Sequence, residues 1–76
     1  MKLKSTDQVQ AFVAALDCCR SSVWIESLSG ERIELNDPVT RQYGIERLMR
    51  DDKDEMDLYA LEYGDFVILA RSLPAA

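Results

Sequence analysis

Val23-Trp24-Ile25-Glu26-Ser27-Leu28-Ser29-Gly30-Glu31-Arg32-Ile33-Glu34-Leu35-Asn36 is the stretch that decides the fold, because apolar and polar side chains alternate on both sides of its Ser29-Gly30 break. A period of two marks strands with one buried face, so these residues predict a β-hairpin. A two-residue loop at Ser29 and Gly30 would set Ile25 against Glu34 and Val23 against Asn36, mixing apolar and polar side chains on one face. A three-residue loop of Leu28, Ser29 and Gly30 instead pairs Ile25 with Ile33, Val23 with Leu35 and Glu26 with Arg32. Gly30 then takes the left-handed conformation that such loops require. The same register places Trp24 opposite Glu34 on the second face of the sheet, where nothing in the hairpin covers it.

On the C-terminal side, Asn36, Asp37 and Pro38 end the hairpin and open a helix, since Asp is a strong N-cap and Pro suits the first helical position. Val39, Tyr43, Ile45, Leu48 and Met49 are its apolar residues. Gly44 costs that helix about 1 kcal/mol unless close packing requires it, so it is expected to sit against a neighbour. Arg47 and Arg50 fall in the last turn, where cations suit the helix dipole. On the N-terminal side, Leu3 between Lys2 and Lys4 is expected to start a short strand. Ser5, Thr6, Asp7 and Gln8 read as a capping box, and Val9, Phe12, Val13 and Leu16 recur at i, i+3, i+4 and i+7 as a helix stripe.

Asp51 to Glu55 reads as a solvated acidic turn, followed by a strand in which Met56, Leu58 and Ala60 alternate with Asp57, Tyr59 and Leu61. Phe66, Leu69, Ala70 and Leu73 have helical spacing, while Phe66 to Leu69 could equally return as a strand from a turn at Tyr63 and Gly64; helix is the favoured reading, and Pro74 stops either. Order is expected from near Leu3 to Leu73. The resulting α+β order is βαββαβα.

The chain has 76 residues, 47% hydrophobic and 30% charged, with few Gly and Pro, which fits one folded soluble domain spanning residues 1–76. Its net charge of -5 argues against a nucleic-acid backbone or an anionic membrane as partner, since both demand clustered Lys and Arg. It contains no histidine, the side chain that most often moves protons and accepts phosphoryl groups near neutral pH. No apolar run approaches the ~20 residues of a membrane span, and the N-terminus has no signal-peptide core, so a cytoplasmic location is expected.

The element order resembles that of the phosphocarrier protein HPr family, and individual residues match most clearly from Ser22 to Ile45. Val23, Trp24, Ile25 and Glu26 look like the family's second strand, and Ile33, Glu34, Leu35, Asn36 and Asp37 resemble its third strand running into the second helix. The resemblance implies an open-faced β-sandwich, with helices on one face of a four-stranded antiparallel sheet. It also locates the departures. Family carriers accept a phosphoryl group on a histidine at the start of the first helix, with an arginine two residues later; those places hold Thr6 and Gln8 here. A hydroxyl is a poor acceptor without a base, and Gln has no charge to hold phosphate. The family's regulatory serine at the second helix cap corresponds to Asp37, already a fixed negative charge. The kinship therefore implies an HPr-like domain without carrier activity.

Other chemistry has little support in the sequence. Cys18 and Cys19 are adjacent and near a helix C-terminus, where the dipole disfavours a thiolate, and are read as structural. The run from Asp51 places Glu62 at the twelfth position of a calcium loop, but Lys53 and Met56 stand where a ligand and a glycine are needed. No catalytic residue, metal site or cofactor is expected. Trp24 is the residue singled out for binding, beside Tyr59 of the final strand, with Arg32 as a cation able to shield the ring; the alternative is that Leu61 or the chain terminus covers it. The leading expectation is a non-catalytic, protein-binding HPr-like domain, its partner a component of the sugar phosphotransferase system or a second copy. The runner-up is an unrelated small acidic adaptor or antitoxin-like protein that binds a basic partner.

Overall fold

A computed structural model describes residues 3–50 and 56–73, in an α+β arrangement of three helices and a three-stranded antiparallel sheet. The elements are α1 (Thr6–Asp17), β1 (Val23–Ser27), β2 (Arg32–Glu34), α2 (Pro38–Met49), β3 (Met56–Ala60) and α3 (Tyr63–Ser72). The sheet order is β2-β1-β3. The hairpin has the register expected from the alternation, with Trp24 opposite Glu34, Ile25 opposite Ile33 and Glu26 opposite Arg32. Gly30 has φ 95°, the left-handed conformation the three-residue loop demands.

Leu3 does not open a strand, so the described order is αββαβα, not βαββαβα, and three strands take the place of the expected four. Its amide donates to the Leu48 carbonyl at 2.9 Å, and its side chain is buried. The next amide, on Lys4, donates to Gln8 Oε1 at 2.6 Å. These backbone donors are thus committed to helix ends, and none remains for a sheet ladder. The Gln8 amide donates to Ser5 Oγ at 3.2 Å, so the capping box starts α1 where the sequence placed it.

The C-terminal ambiguity is resolved as helix α3. The acidic turn from Asp51 to Glu55 and the stop at Pro74 lie outside the described residues.

One face of the sheet carries the core. Val23, Ile25, Ile33, Leu35 and Met56 bury against Phe12 and Leu16 of α1, Leu48 of α2 and Leu69 of α3. Gly44 is where α2 meets the hairpin: a Cβ there would lie 2.7 Å from Leu35 Cδ2 and 3.1 Å from Ile33 Cγ2. This close approach explains the glycine within a helix. It also leaves the arc of α2 expected to be apolar half uncovered, because Val39, Tyr43 and Met49 turn outward and are 79%, 45% and 51% exposed. The helix buries Arg47 instead, whose guanidinium pairs with Glu31 at 3.1 Å and reaches Met56 Sδ at 3.7 Å. Arg47 joins the hairpin loop to the last strand, a role the dipole argument did not anticipate.

Candidate functional site

Strand alternation sends Trp24 and Glu26 of β1, Arg32 and Glu34 of β2, and Asp57 and Tyr59 of β3 to the face opposite the core. No helix covers that face among the described residues. Trp24 sits in the central strand with Glu34 across from it on one side and Tyr59 on the other. The indole and phenol rings stack with centroids 5.9 Å apart and planes 13° from parallel. The Arg32 guanidinium lies over the Trp24 ring, 4.1 Å from its centroid. Both Arg32 Nε and Nη2 donate to Glu34 Oε1, at 3.1 and 2.9 Å, which holds the cation over the indole.

Sequence reasoning placed Trp24 beside Tyr59 with Arg32 as a cation able to shield its ring, and the fold brings all three into one layered cluster. Tyr59 and Arg32 shield Trp24, which is half-buried; Leu61 is itself 72% exposed, and residues 74–76 of the chain terminus, the other cover considered, lie outside the described residues. Trp24 Nε1 is enclosed and finds no acceptor among the described residues. A covered donor left without a partner is unfavourable by about 1–3 kcal/mol.

The positions that the resemblance to HPr singled out lie elsewhere, at helix starts. Thr6 is the first residue of α1 and exposed. Gln8 is occupied in capping, as described above. Asp37 caps α2 by accepting the Val39 amide at 2.8 Å. No hydrogen bond or ring contact joins these three residues to the Trp24 cluster among the described residues.

Two features had no sequence signal. Asp65, in the first turn of α3, is buried and accepts the amides of Arg20 and Ser21 and the Ser21 hydroxyl. The Ser21 hydroxyl also accepts the Glu62 amide at 3.2 Å, so the link between α1 and β1 is stitched to the start of α3. The Ser21 hydroxyl, and then its amide, hold the Asp65 carboxyl below its ordinary range, against the opposing effect of burial. Asn36 acts similarly at the other end of the hairpin: its Oδ1 accepts the Val23 amide at 2.7 Å and its Nδ2 donates to the Ser21 carbonyl at 2.9 Å.

The Cys19 thiol is not activated as a nucleophile in this setting. Burial pushes the Cys19 thiol up, with the neighbouring Asp65 and Cys18 adding to the effect, and Cys19 Sγ donates to the Ala15 carbonyl at 3.3 Å. No three acidic or cysteine side chains converge as a metal site among the described residues. No described helix is long and apolar enough to cross a membrane. Comparison with known protein families, with curated proteins and with solved structures finds no match to this chain.

Proposed function

We propose that the chain is a non-catalytic interaction domain of HPr-like form, lacking phosphocarrier activity, that meets a protein partner through the open face of its sheet. The observation that carries this reading is the Trp24, Tyr59 and Arg32 cluster on a sheet face that no described element covers. Trp, Tyr and Arg are the residue types that dominate binding energy at protein interfaces, and here stacking and the Glu34 ion pair pre-order all three. Packing of all three helices on the other face is in keeping with the HPr resemblance. The absence of histidine supports the part of this reading that denies carrier activity. A component of the sugar phosphotransferase system or a second copy of the chain is the partner this reading names.

Incubation with the phosphotransferase enzyme and labelled phosphoenolpyruvate is expected to leave the chain unlabelled; efficient labelling would end this reading. Trp24→Ala is expected to weaken capture of a partner at least tenfold while the domain stays folded by circular dichroism.

A specific observation favours the second reading, an acidic adaptor or antitoxin-like protein. Glu26 and Asp57 are direct cross-strand neighbours on the open face, and among the described residues neither forms an ion pair, Arg32 opposite Glu26 being engaged by Glu34. Like charges so placed are unfavourable until a cation arrives. Capture of a basic toxin or nuclease, in place of carrier-system proteins, would select this reading.

A further inference from the structure

The hydrogen-bond parity of the sheet can be read from three bonds: Ser27 N–H to Glu31 O at 2.9 Å, Leu35 N–H to Val23 O at 2.9 Å, and Leu61 N–H to Ser22 O at 2.9 Å. Odd-numbered residues of β1 therefore bond to β2, and even-numbered ones to β3. By the same alternation Asp57 and Tyr59 direct their backbone groups at β1, while Leu58 and Ala60 direct theirs away from the sheet. Among the described residues nothing bonds to those outward groups. The opposite edge, β2, has only three residues, whereas β3 presents five in unbroken register with no Pro, Lys or bulge to blunt it.

A groove of about 390 Å³ runs along this edge, between Leu58 and Tyr59 of β3 and Phe66, Ala70 and Leu73 of α3. The spacing of Phe66, Leu69, Ala70 and Leu73 is that of a core stripe, yet only Leu69 is fully buried. The helix thus extends its apolar stripe beyond the last strand, over the place a fourth strand would occupy about 4.8 Å further on.

We propose that the edge of β3, through the outward backbone groups of Leu58 and Ala60, takes up an extended segment of a basic partner protein as a fourth strand. Its apolar side chains would seat on Leu58, Phe66, Ala70 and Leu73, and its Lys or Arg side chains would stand on the open face against Asp57 and Glu26. This inference deepens the interaction-domain reading and rests on it. Charge selects the occupant. Among the described residues the only charged side chain lining the groove is Asp57; it lies opposite Glu26, whose other cross-strand neighbour is Arg32, and no ion pair engages Asp57. A second copy would bring another net charge of -5, and its own β3, Met-Asp-Leu-Tyr-Ala, supplies no cation. Main-chain bonds to Leu58 and Ala60 would provide affinity, and the alternating side chains would provide specificity.

The test uses the full chain and an eight-residue peptide of alternating valine and lysine, with a valine and glutamate peptide as control. Binding of the valine and lysine peptide is expected to slow amide exchange at Leu58 and Ala60 at least tenfold and to weaken as salt rises, while the control does not bind. Asp57→Lys, at an exposed position, is expected to weaken binding at least tenfold with the fold intact by circular dichroism. Equal binding of both peptides would overturn the proposal, as would no binding of either. Protection of Leu58 and Ala60 without peptide, in a chain that sediments as a dimer, would overturn the basic partner in favour of a second copy. Peptide binding that shifts the Trp24 and Tyr59 resonances but leaves the Leu58 and Ala60 amides unprotected would sink the edge proposal and leave the open-face reading standing. Phosphoryl labelling would defeat that broader reading regardless of β3.

Discussion

Asp65 is 4% exposed yet keeps its charge, because the Ser21 hydroxyl and the amides of Ser21 and Arg20 all donate to it. Since its folded-state pKa is depressed below the ordinary 3.8, the stability it supplies is fully present above that value. It is lost as pH falls through the folded-state value. Asp65→Asn keeps the shape but not the charge, so it is expected to lower Tm near pH 7. It should also flatten the fall in Tm on acidification below about pH 4; equal slopes in wild type and variant would contradict the network. At Trp24 the folded state invests less. Its ring is half-buried, stacked on Tyr59 and covered by Arg32, and the aromatic pair and the cation contact each contribute about 0.5–1.5 kcal/mol. Trp24→Ala is therefore expected to cost the fold about 1–2 kcal/mol, below the 3–5 kcal/mol of a fully buried aromatic; a loss in that higher range, by urea denaturation, would make the indole part of the core.

At the scale of elements, the hairpin, the starts of α1 and α2 and the helical spacing of the last segment were legible in the sequence, and the place of Leu3 was not. The period of two, the need to keep Ile25 opposite Ile33 and the Gly30 turn act over fourteen residues, so local pattern is enough to specify register. Ser5 and Asp37 act over three residues or fewer, and each caps the helix expected of it. Leu3 was misread because one apolar residue between two lysines fits a strand or an anchor equally well; its bond to Leu48, across the fold, settled the matter. Val39, Tyr43 and Met49 were placed in the apolar arc of α2, but which part of that arc is buried depends on how closely α2 approaches β2. Gly44 permits that approach. Gly44→Ala would gain about 1 kcal/mol in an open helix. Here it must displace Leu35, which is 0% exposed, and the stiff Ile33 side chain. The net outcome expected is a loss of about 1 kcal/mol, read as a lower Tm, and a rise would show that the contact yields freely.

Across the whole molecule, a chain of 76 residues holds roughly 4–11 kcal/mol of stability, so each central side chain is a large share of the total. Phe12 of α1 belongs to the core cluster and is 0% exposed; Phe12→Ala is expected to remove about 3–5 kcal/mol and to leave a domain that unfolds at much lower urea, whereas an unchanged midpoint would place the core elsewhere. The Trp24, Tyr59 and Arg32 site was legible in part, since alternation alone put Trp24 on the uncovered face and Tyr59 and Arg32 within reach. The amino-acid order by itself determined the alternation, the hairpin register, the helix starts and the missing imidazole, because each is a property of one residue or of neighbours a few positions apart. Only the tertiary structure decided the Asp65 stitch across 44 and 45 residues, the Gly44 contact and the groove between β3 and α3. Those features depend on distances between segments remote in the chain, which packing sets and no local pattern encodes.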